Sequence, residues 1–164
     1  MIFAQGEMYE GDFFEGKSQG KGVYTYADGS TYEGEFYDSM PNGKGTKLYV
    51  DGDVYIGDYK DGIISGFGRY EFDDNSYYEG DFWMGERHGY GTYSDGTGTV
   101  YSGEFFEGMM NGYGKITFSD STHYEGEWKN NKWEGLGTKV DCNGNVTKGN
   151  WADGKLVSNH DDRK

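Results

Sequence analysis

The chain has 164 residues, with 16 Tyr, 10 Phe and 30 Gly, and only 34% of it is hydrophobic. Because long aliphatic runs are absent, a thick core of Leu, Ile and Val is excluded, and aromatic rings must supply the buried area. The formal net charge of −14 argues against binding to nucleic acid or to anionic lipid, since both attract basic surfaces.

Cysteine content and the N-terminal sequence bear on the compartment. The single cysteine, Cys142, cannot form an internal disulfide, and short secreted chains usually carry several. The first residues show no basic segment followed by an apolar run, and no stretch of about 18 apolar residues is present. We therefore expect a cytoplasmic protein without a membrane span.

One unit recurs along the whole chain. Tyrosine stands at residues 9, 32, 55, 78, 101 and 124, always 23 residues apart, and a seventh unit starts in phase at Thr147. We number positions within each unit from this residue, so that Tyr9 is position 0 and Gly11 is position 2. A fixed period of this length indicates a repeat protein.

Further residues recur at fixed positions. Position 2 is Gly and position 4 is aromatic in all seven units, and Gly-x-Gly occupies positions 11 to 13 in the six complete units. Positions 0, 2 and 4 share one face of a strand, and the Gly predicts that rings from adjacent strands lie against the backbone. The residues predicted to form this aromatic face and its groove are Tyr32, Phe36, Tyr55, Tyr59, Tyr78, Phe82, Tyr101, Phe105, Tyr124 and Trp128.

Two kinds of link separate the strand-like runs. Asp28-Gly29 and Asp51-Gly52 predict tight hairpin turns, because Asp-Gly supplies the positive φ values that such turns need. The longer links, such as residues 15–19, predict wider loops. Each unit is therefore predicted to be one β-hairpin.

A hairpin cannot bury its aromatic face alone, so neighbouring units must cover one another. The sequence predicts an all-β fold, an elongated single-layer twisted antiparallel sheet of tandem 23-residue hairpins that forms an open repeat array. We place the array at residues 3–156, with a partial capping unit from residue 147, and a polar C-terminal tail at residues 157–164.

Two other architectures are less consistent with the pattern. A β-propeller needs four strands in roughly 40 to 45 residues per blade, so fewer than four blades would form and the ring would not close. Secreted choline-binding repeats are also hairpins, but their cages usually need paired Trp. The four tryptophans here, Trp83, Trp128, Trp133 and Trp151, are unevenly placed.

The pattern Y-x-G-[DE]-[FYW]-x-x-G-x-x-x-G-x-G at this interval resembles the MORN repeat (membrane occupation and recognition nexus) over about residues 3 to 156. The resemblance implies an open single-layer sheet, no intrinsic catalysis and a role as scaffold or adaptor. Relatives of this kind occur in junctophilins, radial spoke heads of cilia, cytoskeletal collars and plant phosphatidylinositol phosphate kinases.

The chain departs from this pattern at three places. Ser39 and Asn131 replace the Gly of position 7, and Asp95-Gly96 comes two residues early in its unit, so the local loop shapes stay open. Thr147 replaces the Tyr of position 0, which is typical of a C-terminal cap.

Acidic residues recur at positions 1 and 3, on the strand face opposite the aromatic residues. Two interpretations stay open: a solvated face that keeps a glycine-rich sheet soluble, or a docking surface for a basic partner. The candidate partner-binding residues are Glu10, Asp12, Glu33, Glu35, Asp58, Glu79, Asp81, Glu104, Glu125 and Glu127.

No chemical site emerges from the remaining residues, so we expect no enzyme, no cofactor and no metal. His88, His123 and His160 fall in different units. Asp141 to Asn145 begins like a calcium loop, but Val146 stands where the loop needs Gly and no Glu closes it.

The expected function is a non-enzymatic protein-interaction scaffold, cytoskeletal or ciliary, that binds an extended or helical basic segment along its groove. The alternative is a membrane-proximal tether or phospholipid-associated module. Because an open array leaves strand edges unpaired, end-to-end homodimers are also expected. Nucleic acid and direct membrane binding are not expected.

Overall fold

The computed structural model describes residues 6–159, which form 14 β-strands and no α-helix. The chain divides into two compact units, Met1–Glu86 and Arg87–Lys164. The strands of the first unit are β1 (Met8–Phe14), β2 (Lys17–Thr25), β3 (Thr31–Tyr37), β4 (Met40–Leu48), β5 (Val54–Lys60), β6 (Ile63–Glu71) and β7 (Tyr77–Trp83). Those of the second are β8 (Glu86–Ser94), β9 (Val100–Phe106), β10 (Met109–Thr117), β11 (His123–Lys129), β12 (Lys132–Val140), β13 (Val146–Ala152) and β14 (Lys155–Asn159).

Strand order follows the chain in each unit. Strands β1 to β7 pair antiparallel, each with the next, and β8 to β14 do the same. Each 23-residue repeat contributes two strands, as for β3 and β4 in the repeat that starts at Tyr32. The predicted all-β fold of tandem antiparallel hairpins is confirmed.

The ends of the predicted array differ slightly from its observed strands. Strand β14 continues to Asn159, three residues beyond the predicted boundary at residue 156. Residues 3–5 of the predicted array and residues 160–164 of the predicted tail, with His160, lie outside the described residues.

The tight and wide links are opposite to those predicted. Glu15 and Gly16 join β1 to β2 as a two-residue turn with φ of 48° and 79°, as a type I′ turn requires. Asp28-Gly29 instead lies in a five-residue loop, closed by a 2.9 Å hydrogen bond from the Tyr26 amide to the Ser30 carbonyl. The Asp28 carboxylate accepts the Ser30 amide at 2.8 Å, so its role is to hold the wide loop.

The two replacements at position 7 preserve the turn. Ser39 and Asn131 have φ of 67° and 64°, in the same left-handed region as Gly16. Their side chains add bonds to the preceding hairpin: Ser39 Oγ accepts the Ser18 amide at 3.2 Å, and Asn131 Oδ1 accepts the Met110 amide at 2.8 Å. The shape of these two turns, which the sequence left open, is therefore that of the turns in the other 23-residue repeats.

The core of each of the first six hairpins is the tyrosine of position 0, which is fully buried. Tyr32 lies flat over glycines of its own hairpin, so that a Cβ added at Gly34 or Gly45 would overlap its hydroxyl and ring. The Tyr32 hydroxyl donates a 3.0 Å hydrogen bond to the Glu35 carbonyl, and burial raises its pKa to about 12. The hydroxyl therefore keeps the proton that it donates even in the alkaline range where an exposed tyrosine ionises.

Edge-to-face ring contacts connect successive hairpins within each unit. Tyr32 contacts Phe36 of its own hairpin at 5.1 Å and Tyr59 of the next at 4.9 Å, with the ring planes close to perpendicular. Position 4 is 3% to 6% exposed in Phe36, Tyr59, Phe82, Phe105, Trp128 and Trp151. These rings fill the predicted aromatic groove themselves, so the residues assigned to it form the core.

The last full hairpin has an additional ring, since its position 9 is Trp133. Trp133 stacks on Tyr124 with 4.4 Å between ring centroids and 7° between planes, and Trp151 contacts both rings at 5.5 Å or less. The Trp151 indole nitrogen donates to the Gly137 carbonyl at 3.2 Å. Tryptophan thus covers the end of the aromatic row.

Phe82→Ala removes a ring that is 6% exposed and contacts Tyr78 at 5.0 Å and Tyr55 at 5.3 Å. We expect the free energy of unfolding, measured by urea denaturation, to fall by about 3 to 5 kcal/mol. The adjacent Trp83 is 61% exposed, and Trp83→Ala should change stability by no more than about 0.5 kcal/mol. Equal losses in the two variants would contradict the assignment of the core face.

Tyr59→Phe should stabilise the protein. The Tyr59 hydroxyl is buried and has no hydrogen-bond partner among residues 6–159, and position 4 is Phe in the neighbouring hairpins. Removing a buried unpaired hydroxyl should raise the free energy of unfolding by about 1 to 3 kcal/mol. A lower urea midpoint than that of the parent would show that the hydroxyl is bonded.

Candidate protein-docking face

The sheet face opposite the tyrosine rings carries the side chains of positions 1, 3, 12 and 14, and we call it the open face. Strand register places position 1 beside position 14, as in Glu33 opposite Thr46, and position 3 beside position 12, as in Asp58 opposite Lys44. All ten predicted partner-binding acids occupy positions 1 and 3 of this face. Within each unit the open face therefore has two rows of side chains that cross the strands.

A run of glycines separates the two rows. In the first unit each strand contributes one glycine, and each is the register partner of the next: Gly11, Gly22, Gly34, Gly45, Gly57, Gly68 and Gly80. The second unit repeats this from β8 to β13 with Gly91, Gly103, Gly114, Gly126, Gly137 and Gly149. On the open face this run is the floor of a channel perpendicular to the strands, which we call the furrow.

Open depressions lie along the furrow in the first unit. One, of about 590 Å³, is bordered by Glu10, Val23, Glu33 and Glu35 above the glycines of β1 to β3. Another, of about 450 Å³, is bordered by Ile56, Phe67 and other side chains above the glycines of β4 to β6. Both are shallow surface features with glycine backbone beneath them.

The acids of position 3 have a structural role that the sequence analysis did not anticipate. Register moves from Gly11 opposite Gly22 to Phe13 opposite Ser18, so that three residues of β2 face one residue of β1. This bulge frees the Lys21 amide, and the Asp12 carboxylate accepts its hydrogen at 3.2 Å. The same bond links Asp58 to Phe67, Glu104 to Tyr113, and Glu127 to Leu136 at 3.0 to 3.4 Å.

The seventh repeat is consistent with this role. Asn150 stands at position 3 there, and no Gly-x-Gly follows it. Asn150 pairs with Ser158 of the short strand β14, and the register shift that follows leaves one residue, Val157, without a partner, so the three-residue bulge of the first hairpin is not repeated. An acid therefore recurs at position 3 in the repeats whose Gly-x-Gly bulge frees an amide for a carboxylate to bind.

Basic side chains neutralise part of the acidic row. The Lys44 ammonium lies 2.7 Å from the Asp58 carboxylate, and Arg69 binds Glu79 at 2.8 Å. In the second unit Lys115 lies 3.8 Å from Glu125. Three of the ten predicted acids, Asp58, Glu79 and Glu125, are therefore paired with bases.

Acidic charge without a partner concentrates on β1 and β3. Within residues 6–159 the side chains of Glu10, Glu33 and Glu35 make no hydrogen bond and no ion pair, and all three are exposed. They line the larger depression together with Val23, which is 38% exposed, and with two lysines, Lys21 and Lys44. This part of the open face combines an excess of acids over bases with accessible apolar surface.

Exposed apolar side chains on the open face were not identified from the sequence. Ile56 and Phe67 are 50% and 53% exposed beside the second depression, and Tyr113 and Leu136 are 53% and 56% exposed in the second unit. Contiguous exposed apolar surface on a folded domain marks an interaction site. The sequence signal that could have identified them is an apolar residue at position 1 or 12, where other repeats carry Glu or Lys.

Within residues 6–159 no group of three or more His, Cys, Asp or Glu side chains is placed to hold a metal ion. The Asp141 carboxylate accepts hydrogen bonds from the Asn145 side-chain amide at 2.8 Å and from the backbone amides of Asn145 and Asn143 at 2.9 Å, and these bonds lower its pKa and hold the loop. His88 packs beside the Phe106 ring at 5.3 Å. The described part of the chain contains no helix with the length and apolar character of a membrane span.

The fold and its open face define a class of protein, the tandem β-hairpin repeat protein with one packed and one exposed sheet face. The sequence profile described as MORN repeat matches residues 9–31, 32–54, 55–77, 78–100, 101–123 and 124–146. The chain therefore belongs to the MORN-repeat family, as its sequence pattern predicted. No curated protein sequence matches it significantly.

Solved structures with a similar fold include TCP domains. The Drosophila melanogaster SAS-4 (dCPAP) TCP domain, in complex with a proline-rich motif of Ana2 (dSTIL), has a TM-score of 0.54 at 10% identity. That match covers 90% of this chain and 79% of the other. The wild-type TCP10 domain of Danio rerio CPAP has a TM-score of 0.37 at 16% identity, with 98% of each chain covered. At 10% identity the likeness to the SAS-4 domain concerns the fold alone.

Glu104→Met should destabilise the protein, because it removes the acceptor that binds the Tyr113 amide at 3.0 Å. We expect the free energy of unfolding to fall by about 1 to 3 kcal/mol, and Glu104→Gln, which keeps an acceptor oxygen, to lose less than half of that. Glu33→Met is the matched control at position 1 and should stay within about 0.5 kcal/mol of the parent. Equal urea midpoints for the two Met variants would contradict a structural role for position 3.

Proposed function

We propose that the chain is a non-enzymatic protein-interaction scaffold whose open face binds a basic segment of a partner protein. The observation that carries the proposal is the group of exposed, unpaired carboxylates of Glu10, Glu33 and Glu35 around an accessible depression. A row of one charge sign accelerates encounter with an oppositely charged segment and rejects like-charged ones. Val23 and the glycine floor add apolar contact.

Charge balance favours the first unit as the docking region. Its open face carries seven acids, Glu10, Asp12, Glu33, Glu35, Asp58, Glu79 and Asp81, against three cations, Lys21, Lys44 and Arg69. In the second unit the same positions carry Glu104, Glu125 and Glu127 against Lys115 and Lys148. Because a net acidic surface repels anionic leaflets, we do not propose the membrane-proximal alternative.

The comparison with a solved complex supports a protein ligand. The SAS-4 TCP domain shares the fold and was solved with a proline-rich motif of another protein. We extend to this chain only the idea that such a sheet holds a short segment of a partner, and with it a cytoskeletal location. End-to-end association through the edge strands β1 and β14 stays a prediction.

Catalysis is not part of the proposal. Most carboxylates of the open face are exposed, and Asp58 and Glu79 are half-buried in ion pairs, whereas catalytic carboxylates need an enclosed pocket. The depressions along the furrow are shallow, and their floor is glycine backbone. These features suit binding of a polypeptide surface better than enclosure of a small substrate.

Selection of short random peptides on the immobilised full chain tests this function. We expect selected peptides to be enriched in Lys and Arg, and the enrichment to be lost in the triple variant Glu10→Gln, Glu33→Gln, Glu35→Gln. Individual selected peptides should bind the triple variant roughly tenfold more weakly at low ionic strength, a change of about 1.4 kcal/mol, and less so as salt rises.

The control variant neutralises exposed acids away from the furrow. Glu15 and Glu107 lie in hairpin turns, so Glu15→Gln with Glu107→Gln removes negative charge and leaves the open face unchanged. Basic peptides selected equally well by the parent and the triple variant would exclude this face as the docking site.

A further inference from the structure

The direction of the furrow restricts what can occupy it. The furrow crosses the strands, and the amide and carbonyl groups of its floor belong to strands already paired on both sides within β2 to β6. An occupant therefore receives no ladder of main-chain hydrogen bonds from the floor. A peptide in β conformation would leave its own amides and carbonyls without the partners that a sheet edge offers.

The width of the furrow restricts the occupant further. Its two side-chain rows stand two residues apart along each strand, which is about 7 Å between rows of Cβ atoms. An α-helix with its side chains is about 10 to 12 Å wide, so it would lie above the rows and not between them. A polyproline II helix has no internal hydrogen bonds, and its prolines have no amide hydrogen that needs a partner.

The spacing of the hairpins matches the same conformation. Glu10 on β1 and Glu33 on β3 occupy the same position in successive hairpins, two strand spacings or about 9.6 Å apart. A polyproline II helix has three residues per turn and rises about 9.3 Å per turn. Successive same-side residues of an extended β peptide are only about 6.8 Å apart and would lose register after one hairpin.

We propose that the furrow of the first unit binds a polyproline II segment with a cationic residue at every third position. This inference rests on the proposed docking function and names the conformation and periodicity of its partner. Two successive cationic residues of the segment pair with Glu10 and Glu33, while the residues between them contact the glycine floor and Val23. The carboxylate of Glu35 faces the segment from the opposite row, where Lys21 and Lys44 also line the depression, so the cations of the segment lie on the side of Glu10 and Glu33.

The third hairpin adds an apolar requirement. Its position 1 is Ile56 and its position 12 is Phe67, where the two preceding hairpins carry Glu and Lys. Both side chains border the depression above the glycines of β4 to β6, and each is at least half exposed. One turn beyond the second cation, the bound segment should therefore carry an apolar residue.

Fluorescence anisotropy with defined peptides tests the inference on the full chain. The probe is Arg-Pro-Pro-Arg-Pro-Pro-Leu, and the matched control is Arg-Pro-Pro-Pro-Arg-Pro-Pro-Leu, which has the same two cations with one more proline between them. We expect the probe to bind about tenfold more tightly than the control, because only its cations can meet both Glu10 and Glu33 without strain. Arg-Gly-Ser-Arg-Gly-Ser-Leu, which keeps the spacing without the polyproline II conformation, should bind more weakly than the probe.

Variants of the chain assign the effect to the furrow. Glu10→Gln with Glu33→Gln should remove the preference for the three-residue spacing. Ile56→Ser should lower the affinity for the probe more than it lowers the affinity for a peptide in which Ser replaces the Leu of the probe. Glu15→Gln with Glu107→Gln should preserve both preferences. None of the substituted side chains makes a hydrogen bond within the described residues, so urea midpoints near that of the parent are expected for the Gln variants.

The outcomes separate this inference from the proposed function. Equal affinity for both arginine spacings, lowered in the Glu10 and Glu33 double variant, would overturn the polyproline II register and leave basic docking in place. Binding of selected basic peptides without any binding of the proline peptides would have the same meaning. Affinities that are unaffected by both the spacing and the double variant would overturn both proposals.

Discussion

The structure depends on one repeated interaction, a tyrosine ring that lies on two paired glycines. In the second hairpin Tyr32 covers Gly34 and Gly45, and its hydroxyl binds the Glu35 carbonyl at 3.0 Å. Glycine weakens a strand by itself, but any side chain at these places would occupy the volume of the ring. Because a flat ring buries a large apolar area, the sheet obtains a core without a second layer of secondary structure.

This packing uses one face of the sheet and leaves the other face exposed to solvent. On the exposed face, the side chains of positions 1 and 3 have different roles. Position 3 supplies a carboxylate to the bulge amide in Asp12, Asp58, Glu104 and Glu127, though not in Glu35, and is acidic wherever Gly-x-Gly follows. Position 1 has no such bond in Glu10 or Glu33 and changes to Ile56 in the next hairpin. The acid thus recurs at position 3, where it forms a structural bond, whereas the residue type varies at position 1, where the side chain is available for recognition.

A repeat of hairpins also sets distances. Equivalent side chains of successive hairpins stand two strand spacings apart, and this interval is set by the hydrogen-bonded ladder, not by flexible loops. A difference between hairpins at one position, such as Glu33 in one hairpin and Ile56 in the next, therefore alters the chemistry at one place in the row without moving the neighbouring side chains. Such a surface suits a partner segment with its own regular period.

The sequence by itself determined the hairpin period, the buried tyrosines and the family, because these follow from side-chain alternation and a constant interval of 23 residues. Asp28-Gly29 was assigned to the wrong kind of link, because Asp-Gly suits a wide loop as well as a tight turn. Pairing of Thr25 with Thr31 leaves five residues between the strands and decides the matter. The bond from Asp12 to the Lys21 amide likewise exists only once the bulge brings together groups nine residues apart. Periodicity is a property of the chain, whereas these bonds depend on register, which is established only when the strands pair.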